Sequence, residues 1–463
     1  MKKRFAFAVV VASIILSLIS CAAMPGLNGD YMSGAEGGGS YEGGYGSSGG
    51  PELGPSGPMG DASGGTSGAP GSDFDDSVED PGESEPDDSD TSEDKTEENI
   101  KLPAGMITAG AHNDNDYYSD WLRLFEQGTP ANGKFFQYTN PSYSWGYNSL
   151  KRVKVSVMNG ENAVAGASVL ATDEQGNKLF SAVSDAKGNA YLFTDADSGN
   201  IRVTSGEGSA EATFDNDNRE LTVNLDKSAE KRNVIEIMLV VDVTGSMGDE
   251  IYFLKAELAD VINRIAENNS GAQIKLALLF YRDTDDSLPF DYYDFTDVTE
   301  KAGLDAQQAA LDKQYASGGG DYPEAVDEAL DIAVNKQWST GTTTKIIFHV
   351  LDAPAHSGEK YATKLVNATK TAAEKGIRIC PIICSGAAQS TEYTMREAAI
   401  YTGGTFIFVT DDSGIGGSHH DPELPNVTVE LLNSLMVRLV NGYHSGNFDE
   451  PIFWKQDPNL NNR

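Results

Sequence analysis

Apolar runs that alternate with amphipathic segments dominate the chain from about residue 232 onward. The first run, 235–241, is almost continuously apolar and ends at Asp242, and Ile251, Leu254 and Leu258 then recur at helical spacing. Similar apolar runs follow at 274–281, 345–351, 377–384 and 405–409, with an edge strand at 292–298. Strands that are apolar on both faces are typical of a mostly parallel sheet covered by helices on both sides. The sequence therefore predicts a doubly wound α/β domain over residues 232–445.

The helices between these runs also have sequence signals. The pattern predicts helices at about 251–265, 301–315, 323–333, 360–375, 391–401 and 427–441. Pro323 suits a first helical turn, and Gly376 is a typical residue just beyond a helix end.

In residues 151–227, apolar residues recur at every second position instead of at helical spacing. Short alternating runs are separated by turn signals such as Asn159-Gly160 and Lys187-Gly188. This pattern predicts a small antiparallel β-sandwich before the α/β domain. The preceding residues 101–150 are rich in aromatic side chains but have no recognisable fold, and residues 446–463 are predicted to be a C-terminal tail.

The N-terminus has the pattern of an export signal. Lys2, Lys3 and Arg4 precede an apolar stretch, 5–19, that is too short to favour a retained membrane helix. The end of this stretch resembles a bacterial lipobox, which implies cleavage after residue 20 and a lipid on Cys21. The alternative is an ordinary signal peptide with a chance cysteine. A lipid would anchor the chain to the cell envelope. By the same resemblance, Ala22 after the cysteine implies the outer membrane or cell surface.

Charge and composition describe the next segment. The chain of 463 residues has a net charge of −36, and residues 71–100 hold fourteen Asp or Glu with Lys95 as the single base. Residues 21–100 therefore read as a disordered Gly/Ser-rich and acidic tether. No basic patch offsets the acidity, so the sequence excludes nucleic acid as an expected partner.

Two further cysteines, Cys380 and Cys384, lie in one predicted buried strand. A four-residue step along a strand covers about 13 Å, whereas a disulfide needs Cα atoms within about 7 Å. We therefore expect two free, structural thiols.

Oxygen-bearing side chains follow the predicted parallel strands where ligands gather in such sheets. Asp242, Thr244 and Ser246 follow the first strand, and Asp352 follows the strand 345–351. A third acidic segment is Gly318-Gly319-Gly320-Asp321-Tyr322-Pro323-Glu324. Carboxylates and hydroxyls are hard ligands, so this edge is expected to bind Mg²⁺, or alternatively Mn²⁺ or Ca²⁺.

The Asp-x-Thr-x-Ser loop, with Asp352 at the matching later strand, resembles the metal-ion-dependent adhesion site of von Willebrand factor A domains. The resemblance covers about 232–443 and implies a Rossmann-like fold with one open coordination position for a partner's acidic side chain. The family's distant Thr is replaced here by Asp321. That residue is expected to be a metal ligand or a helix cap, and a third carboxylate would weaken the attraction for an acidic partner.

The β-rich region has a resemblance of its own. The stretches 164–169 and 184–190 are similar to a carboxypeptidase regulatory-like (prealbumin-like) sandwich, with Ser184 where that family's turn usually has Thr. Such modules are usually spacers or binding surfaces.

Other polar residues are candidates for the rim of the site. They are Arg282, Asp283, Glu324, His356, His419 and His420. The His419-His420 pair is either part of an exposed loop or a weak second metal site.

The motifs favour binding over catalysis. There is no HExxH, G-x-S-x-G or P-loop motif. We therefore expect a non-enzymatic, envelope-anchored adhesion module that uses a divalent metal to bind a protein or glycan. The alternatives are a structural envelope protein with a degenerate metal site and a metal-dependent hydrolase.

Overall fold

The computed structural model describes residues 106–127, 133–413, 424 and 427–461. Its strands are β1 (Thr108–His112), β2 (Arg152–Asn159), β3 (Asn162–Ala163), β4 (Ser168–Thr172), β5 (Lys178–Val183), β6 (Asn189–Phe193), β7 (Ser198–Ser205), β8 (Gly208–Asp215), β9 (Glu220–Asn224), β10 (Val234–Asp242), β11 (Gln273–Tyr281), β12 (Phe290–Asp297), β13 (Thr344–Leu351), β14 (Ile377–Ile383), β15 (Phe406–Val409) and β16 (Glu430–Leu431). Its α-helices are α1 (Tyr118–Arg123), α2 (Gly248–Asn268), α3 (Lys301–Asp312), α4 (Val326–Val334), α5 (Glu359–Lys375), α6 (Gln389–Thr402) and α7 (Leu432–Ser445). The signal peptide, tether and Cys21 predicted from the sequence lie outside the described residues, as do His419 and His420.

An eight-stranded sheet forms the centre of the C-terminal region. Its strand order is β12-β11-β10-β13-β14-β15-β1-β16. Strands β10, β11, β13, β14 and β15 pair in parallel, whereas β12, β1 and β16 pair antiparallel with their neighbours. The predicted mostly parallel, helix-covered sheet is confirmed, and the antiparallel β12 is the predicted edge strand.

Burial on both faces explains the continuous apolar runs. In β10, Ile237 and Leu239 join the hydrophobic cluster beneath α2 and α7, whereas Met238 and Val240 join the cluster that holds residues of α4, α5 and α6. Successive strand residues point to opposite faces, so a sheet between two helical layers needs apolar residues at every position.

Two parts of the chain outside the predicted 232–445 range pack with the α/β region, one as a strand of its sheet and one in its hydrophobic cover. Strand β1 lies between β15 and β16, so the aromatic-rich segment 101–150 contributes a strand to it. In the C-terminal tail, Trp454 is buried with Met106, Leu431 and Leu460. The boundaries predicted at 232 and 445 therefore exclude residues that complete the sheet and its cover.

The final helix also differs from the prediction. It begins at Leu432 rather than at about 427, because β16 pairs with β1 and the Leu432 N–H donates to the Ile107 carbonyl. The β-branched run Val427-Thr428-Val429 favours this extended entry.

The β-rich region forms two four-stranded sheets, one with β2, β3, β6 and β9 and the other with β5, β4, β7 and β8. Most neighbours pair antiparallel, but β2 and β9 run parallel, which departs from the antiparallel expectation. Its core continues into the α/β region, where the Phe193 ring stacks on Tyr401 at a centroid distance of 4.7 Å.

Basic side chains donate hydrogen bonds to the C-terminal carbonyls of four helices, at the amino ends of the parallel strands. Lys375 donates to the Val334 carbonyl of α4, Lys345 to the Lys375 carbonyl of α5, Arg378 to the Thr402 carbonyl of α6, and Lys231 to the His444 carbonyl of α7. The last carbonyls of a helix lack intrahelical donors and carry partial negative charge, so these contacts satisfy both hydrogen bonding and charge. Within the described residues, no helix is long and apolar enough for a bilayer crossing.

Candidate metal site

Adjacent parallel strands bring two carboxylates to one edge of the sheet. Strand β10 ends at Asp242, its neighbour β13 ends at Leu351, and Asp352 follows immediately. Asp242 is fully buried and Asp352 is 6% exposed. Since the two strands run in the same direction, both side chains lie at the carboxyl ends of the strands, where Asp352 lines a pocket.

The loop after β10 holds Asp242 through one of its two oxygens. The backbone N–H and the hydroxyl of Thr244 both donate to Asp242 Oδ1, at 2.9 and 2.7 Å. Asp242 Oδ2 is buried and has no hydrogen-bond partner. Burial raises the pKa of Asp242 to about 7, with Thr244 lowering it and Asp352 raising it. A buried carboxylate oxygen without a partner is costly, and a bound cation would remove that cost.

Ser246 connects this loop to Asp352. Burial raises the pKa of Asp352, and a hydrogen bond from the Ser246 side chain opposes that rise. Thr244, Ser246 and Asp352 line one pocket of about 210 Å³ together with the glycine run 318–320. The structure thus brings the predicted Asp-x-Thr-x-Ser loop and Asp352 to one small polar pocket.

The glycine run approaches the loop closely. Gly319 has φ +81°, and a Cβ built on it would lie 2.7 Å from Glu324 Oε1 and 3.4 Å from Thr244 Cβ. Only a residue without a side chain fits this left-handed backbone between Thr244 and Glu324. The close approach lets the 318–324 segment form a wall of the pocket.

Glu324 lies deeper than the rim position predicted for it. Its side chain is 3% exposed, and its Oε2 has no hydrogen-bond partner. Burial and the nearby carboxylates of Asp242, Asp283, Asp286 and Asp352 raise the pKa of Glu324 to about 9. A second unpartnered carboxylate oxygen therefore belongs to a residue that lines this pocket and lies within the electrostatic influence of Asp242.

Asp321, in contrast, is exposed at the pocket. It does not cap the following helix, because α4 begins at Val326 with Ala325 as the N-cap and no side-chain cap hydrogen bond. The cap interpretation is therefore wrong, as is the placement of Pro323 in a first helical turn. Coordination by Asp321 stays a prediction.

Residues after β11 support the glycine run and the rim. Arg282 Nε donates to the Ser317 carbonyl at 2.8 Å, and the Gly319 N–H donates to Asp286 Oδ2 at 3.0 Å. His356 Nε2 lies 2.8 Å from Asp283 Oδ1. Arg282, Asp283 and His356 thus hold the loops around the pocket.

The donor set fits a divalent cation only if hydroxyls take part. Across the described residues, no three His, Cys, Asp or Glu side chains are gathered to hold one ion. Asp242 and Asp352 would supply carboxylate oxygens, and Thr244 and Ser246 hydroxyl oxygens, which suits hard cations such as Mg²⁺.

Two acids near the site were missed by the sequence reasoning. Asp286 binds the glycine run, and Glu250, in the first turn of α2, is 5% exposed with its pKa raised to about 7, mainly by burial. The acidic cluster 283–286 was a signal for Asp286. No sequence signal marked Glu250 beyond its closeness to Ser246 along the chain.

The two cysteines behind this edge are free and buried, which confirms the expected thiols. Burial raises the pKa of Cys380 to about 11, so its sulfur stays protonated and unreactive.

Comparison with known proteins identifies the class of this domain. Residues 236–411 match the family model described as von Willebrand factor A domain. This part of the chain is a von Willebrand factor A domain, as the Asp242 loop led us to expect. Such domains are known as protein-interaction and adhesion modules, often metal-dependent and generally non-catalytic.

Individual relatives are distant. The chain is 24% identical over 137 residues to "Alpha-protein kinase vwkA" of Dictyostelium discoideum, a match that covers 29% of this chain and 21% of that protein. This chain thus matches about a fifth of that protein's length.

Solved structures are also similar at low identity. The conserved hypothetical protein BatB from Bacteroides thetaiotaomicron is 18% identical, with a TM-score of 0.27 over 38% of this chain and 90% of its own. An aerotolerance-related membrane protein from Bacteroides fragilis is 15% identical, with a TM-score of 0.23 over 47% and 91%. Proximal thread matrix protein 1 from the mussel byssus is 12% identical, with a TM-score of 0.33 over 49% and 54%.

Proposed function

We propose that the chain is an envelope-anchored binding module that holds a divalent cation at Asp242 and uses it to bind a protein or glycan. The observation that carries the proposal is the pair of buried carboxylate oxygens without partners, Asp242 Oδ2 and Glu324 Oε2. Neither oxygen accepts a hydrogen bond from the protein. Glu324 lines a pocket open to solvent, together with Thr244, which binds the other oxygen of Asp242. A cation held by Asp242 would compensate the Asp242 oxygen, and its positive charge would favour the ionised form of the nearby Glu324.

The charge of the site favours a neutral ligand group. Asp242 and Asp352 alone balance one dication, and Glu324 adds negative charge if the ion displaces its proton. A carboxylate from a partner would then meet a neutral or negative centre and gain little Coulomb energy. We propose that the partner supplies a carbonyl or hydroxyl oxygen.

Calorimetry of the full chain with Mg²⁺, Mn²⁺ and Ca²⁺ tests the metal. We expect saturable binding by at least one ion and its loss in Asp242→Ala. The matched control is Asp249→Asn, which removes one exposed carboxylate from the first turn of α2 and should keep the binding. No heat and no thermal shift at millimolar metal would refute the site. Binding that survives Asp242→Ala would assign the ion elsewhere.

Partner capture separates an adhesion module from a protein whose ion only stabilises a loop. We expect capture on cell-envelope extracts to need the metal, to be reversed by EDTA and to be lost in Asp242→Ala. Metal binding without metal-dependent capture would favour the structural role. Turnover of generic phosphate or peptide substrates would contradict a purely binding role.

The anchor is proposed from Cys21. Metabolic labelling with radioactive palmitate should mark the chain in its bacterial host, and Cys21→Ser should abolish the label and release the protein from the membrane fraction. An unlabelled, secreted wild-type chain would contradict the anchor and its placement at the outer membrane or cell surface.

A further inference from the structure

A groove of about 890 Å³ lies between the aromatic segment 137–146 and α5. Tyr143 lines it with 61% of its surface exposed, and Trp145 lines it half-buried against the core. Within the described residues, Trp145 Nε1 has no hydrogen-bond acceptor, whereas the indole nitrogens of Trp121, Trp338 and Trp454 each donate. Exposed aromatic surface with an unused donor is typical of a binding site.

The backbone of the aromatic wall is fixed in place. The Tyr138 ring stacks on Tyr393 at a centroid distance of 4.0 Å, and the Tyr393 hydroxyl donates to the Ser144 carbonyl at 3.1 Å. Trp145 has φ +53° and is the single non-glycine residue in the left-handed region among those described. That conformation costs about 1 kcal/mol, which the anchoring contacts offset. A backbone fixed in advance loses little entropy when a ligand binds.

One face of α5 forms the opposite wall. The groove is lined there by Glu359, Thr363, Asn367 and Lys370, at spacings of three and four residues that share a helix face. These residues span about 16 Å along the axis. The side chains of Thr363, Asn367 and Lys370 are exposed and have no hydrogen-bond partner in the described structure.

The groove's charge is balanced although the chain is strongly acidic. Glu359 and Lys370 are its one anionic and one cationic side chain, against a net charge of −36 for the chain. A charged ligand would gain no electrostatic advantage here, so an uncharged ligand suits the groove best.

We propose that this groove binds a neutral oligosaccharide. A sugar ring has an apolar C–H face, which would pack on Tyr143 and Trp145, and a rim of hydroxyls, which would bond to Asn367 and the other polar groups of α5. The groove is also lined by Ser357 and Gly358, five and six residues after Asp352 along the chain. It needs no ion and stands apart from the proposal for Asp242.

The test titrates the full chain, in EDTA, with pentasaccharides of β-1,4-glucose, β-1,4-N-acetylglucosamine, α-1,4-glucose and α-1,6-mannose, followed by tryptophan fluorescence and calorimetry. We expect at least one to bind with a dissociation constant below about 1 mM. Trp145→Phe should remove the fluorescence response. Tyr143→Ala and Asn367→Ala should each weaken binding about tenfold. Tyr252→Ala is the matched control, since it removes a tyrosine that is 56% exposed on α2, outside the groove.

Absence of binding by all four sugars at millimolar concentration overturns the proposal, as does binding that Tyr143→Ala leaves unchanged. A proline-rich peptide that binds through Tyr143 where the sugars do not would assign the groove to protein. Because the assay contains EDTA, failure of the metal site does not affect its outcome. Unchanged thermal midpoints of the variants would show that any loss is local.

Discussion

The amino ends of the parallel strands, which we call the amino edge, and their carboxyl ends, the carboxyl edge, differ in how charged side chains are satisfied. At the amino edge, Lys231, Lys345, Lys375 and Arg378 each donate to the last carbonyls of a helix. At the carboxyl edge, Asp242 and Glu324 each keep a buried oxygen without a partner. Both edges are built by the same parallel strands, so topology alone does not explain the difference.

The comparison separates stability from binding. Charges that are satisfied within the protein contribute to folding, whereas buried carboxyl groups left unsatisfied lower stability and persist where a ligand can use them. Neutralising a charge at the amino edge should therefore lower the free energy of unfolding. Neutralising one at the carboxyl edge, without a bound ion, should leave the free energy of unfolding unchanged or raise it.

The largest expected effect is at Arg378. Its side chain is 8% exposed and donates to the carbonyls of Thr402 and Val183. Arg378→Met removes both donors and should lower the free energy of unfolding by about 2–4 kcal/mol. Urea denaturation measures this decrease. The control is Lys313→Met, at an exposed position after α3, which should change the free energy of unfolding by less than about 0.5 kcal/mol. If Arg378→Met lowers the free energy of unfolding by less than about 1 kcal/mol, the stabilising role of the amino edge is contradicted.

At the carboxyl edge, the glycine run offers a matched pair of variants. Gly319→Ala places a Cβ near Glu324 in a left-handed backbone, whereas a Cβ at Gly320 meets nothing within 4 Å. We expect Gly319→Ala to cost about 1–2 kcal/mol and to weaken metal binding, and Gly320→Ala to do neither. Urea denaturation and metal calorimetry on both variants check this. Equal effects would show that the close approach is unimportant.

The last expected effect is a pH dependence at the amino edge, similar in size to the effect of Gly319→Ala. Burial, with Lys231 nearby, lowers the pKa of His444 to about 4. Between about pH 6.5 and pH 4 the unfolded chain binds a proton that the folded chain does not, so stability falls as the pH falls. Linkage limits the slope to about 1.4 kcal/mol per pH unit for one histidine. Urea midpoints at about pH 7 and pH 5 should differ less in His444→Gln than in the wild type. An unchanged difference would contradict the assignment.

The sequence predicted the parts of the site that topology controls. Asp242 and Asp352 stand where apolar runs end, and parallel strands bring such positions together. The burial of Glu324 was not predictable, because it depends on the path of three successive glycines whose backbone angles no sequence pattern specifies. Asp321 seemed the stronger candidate because it takes the place of the family's Thr, yet it is exposed.

The fold was predicted where elements are long and apolar. Strand β1, with the sequence Thr-Ala-Gly-Ala-His, is too short and too weakly apolar to stand out, and it joins the sheet from far away in the chain. The start of α7 was missed because the pairing of Glu430 and Leu431 with β1 is a tertiary contact. Both errors come from long-range pairing, which local periodicity does not report.

The most direct test of the account is the free energy of unfolding of the full chain and of Asp242→Asn, each in EDTA and in saturating Mg²⁺ or Mn²⁺. In EDTA, we predict that the variant is at least as stable as the wild type, because an unpartnered buried charge is removed. An ion at a hundred times its dissociation constant should stabilise the wild type by about 2.7 kcal/mol and the variant hardly at all. A variant that is less stable in EDTA, together with equal stabilisation of both proteins by the ion, would contradict the central claim.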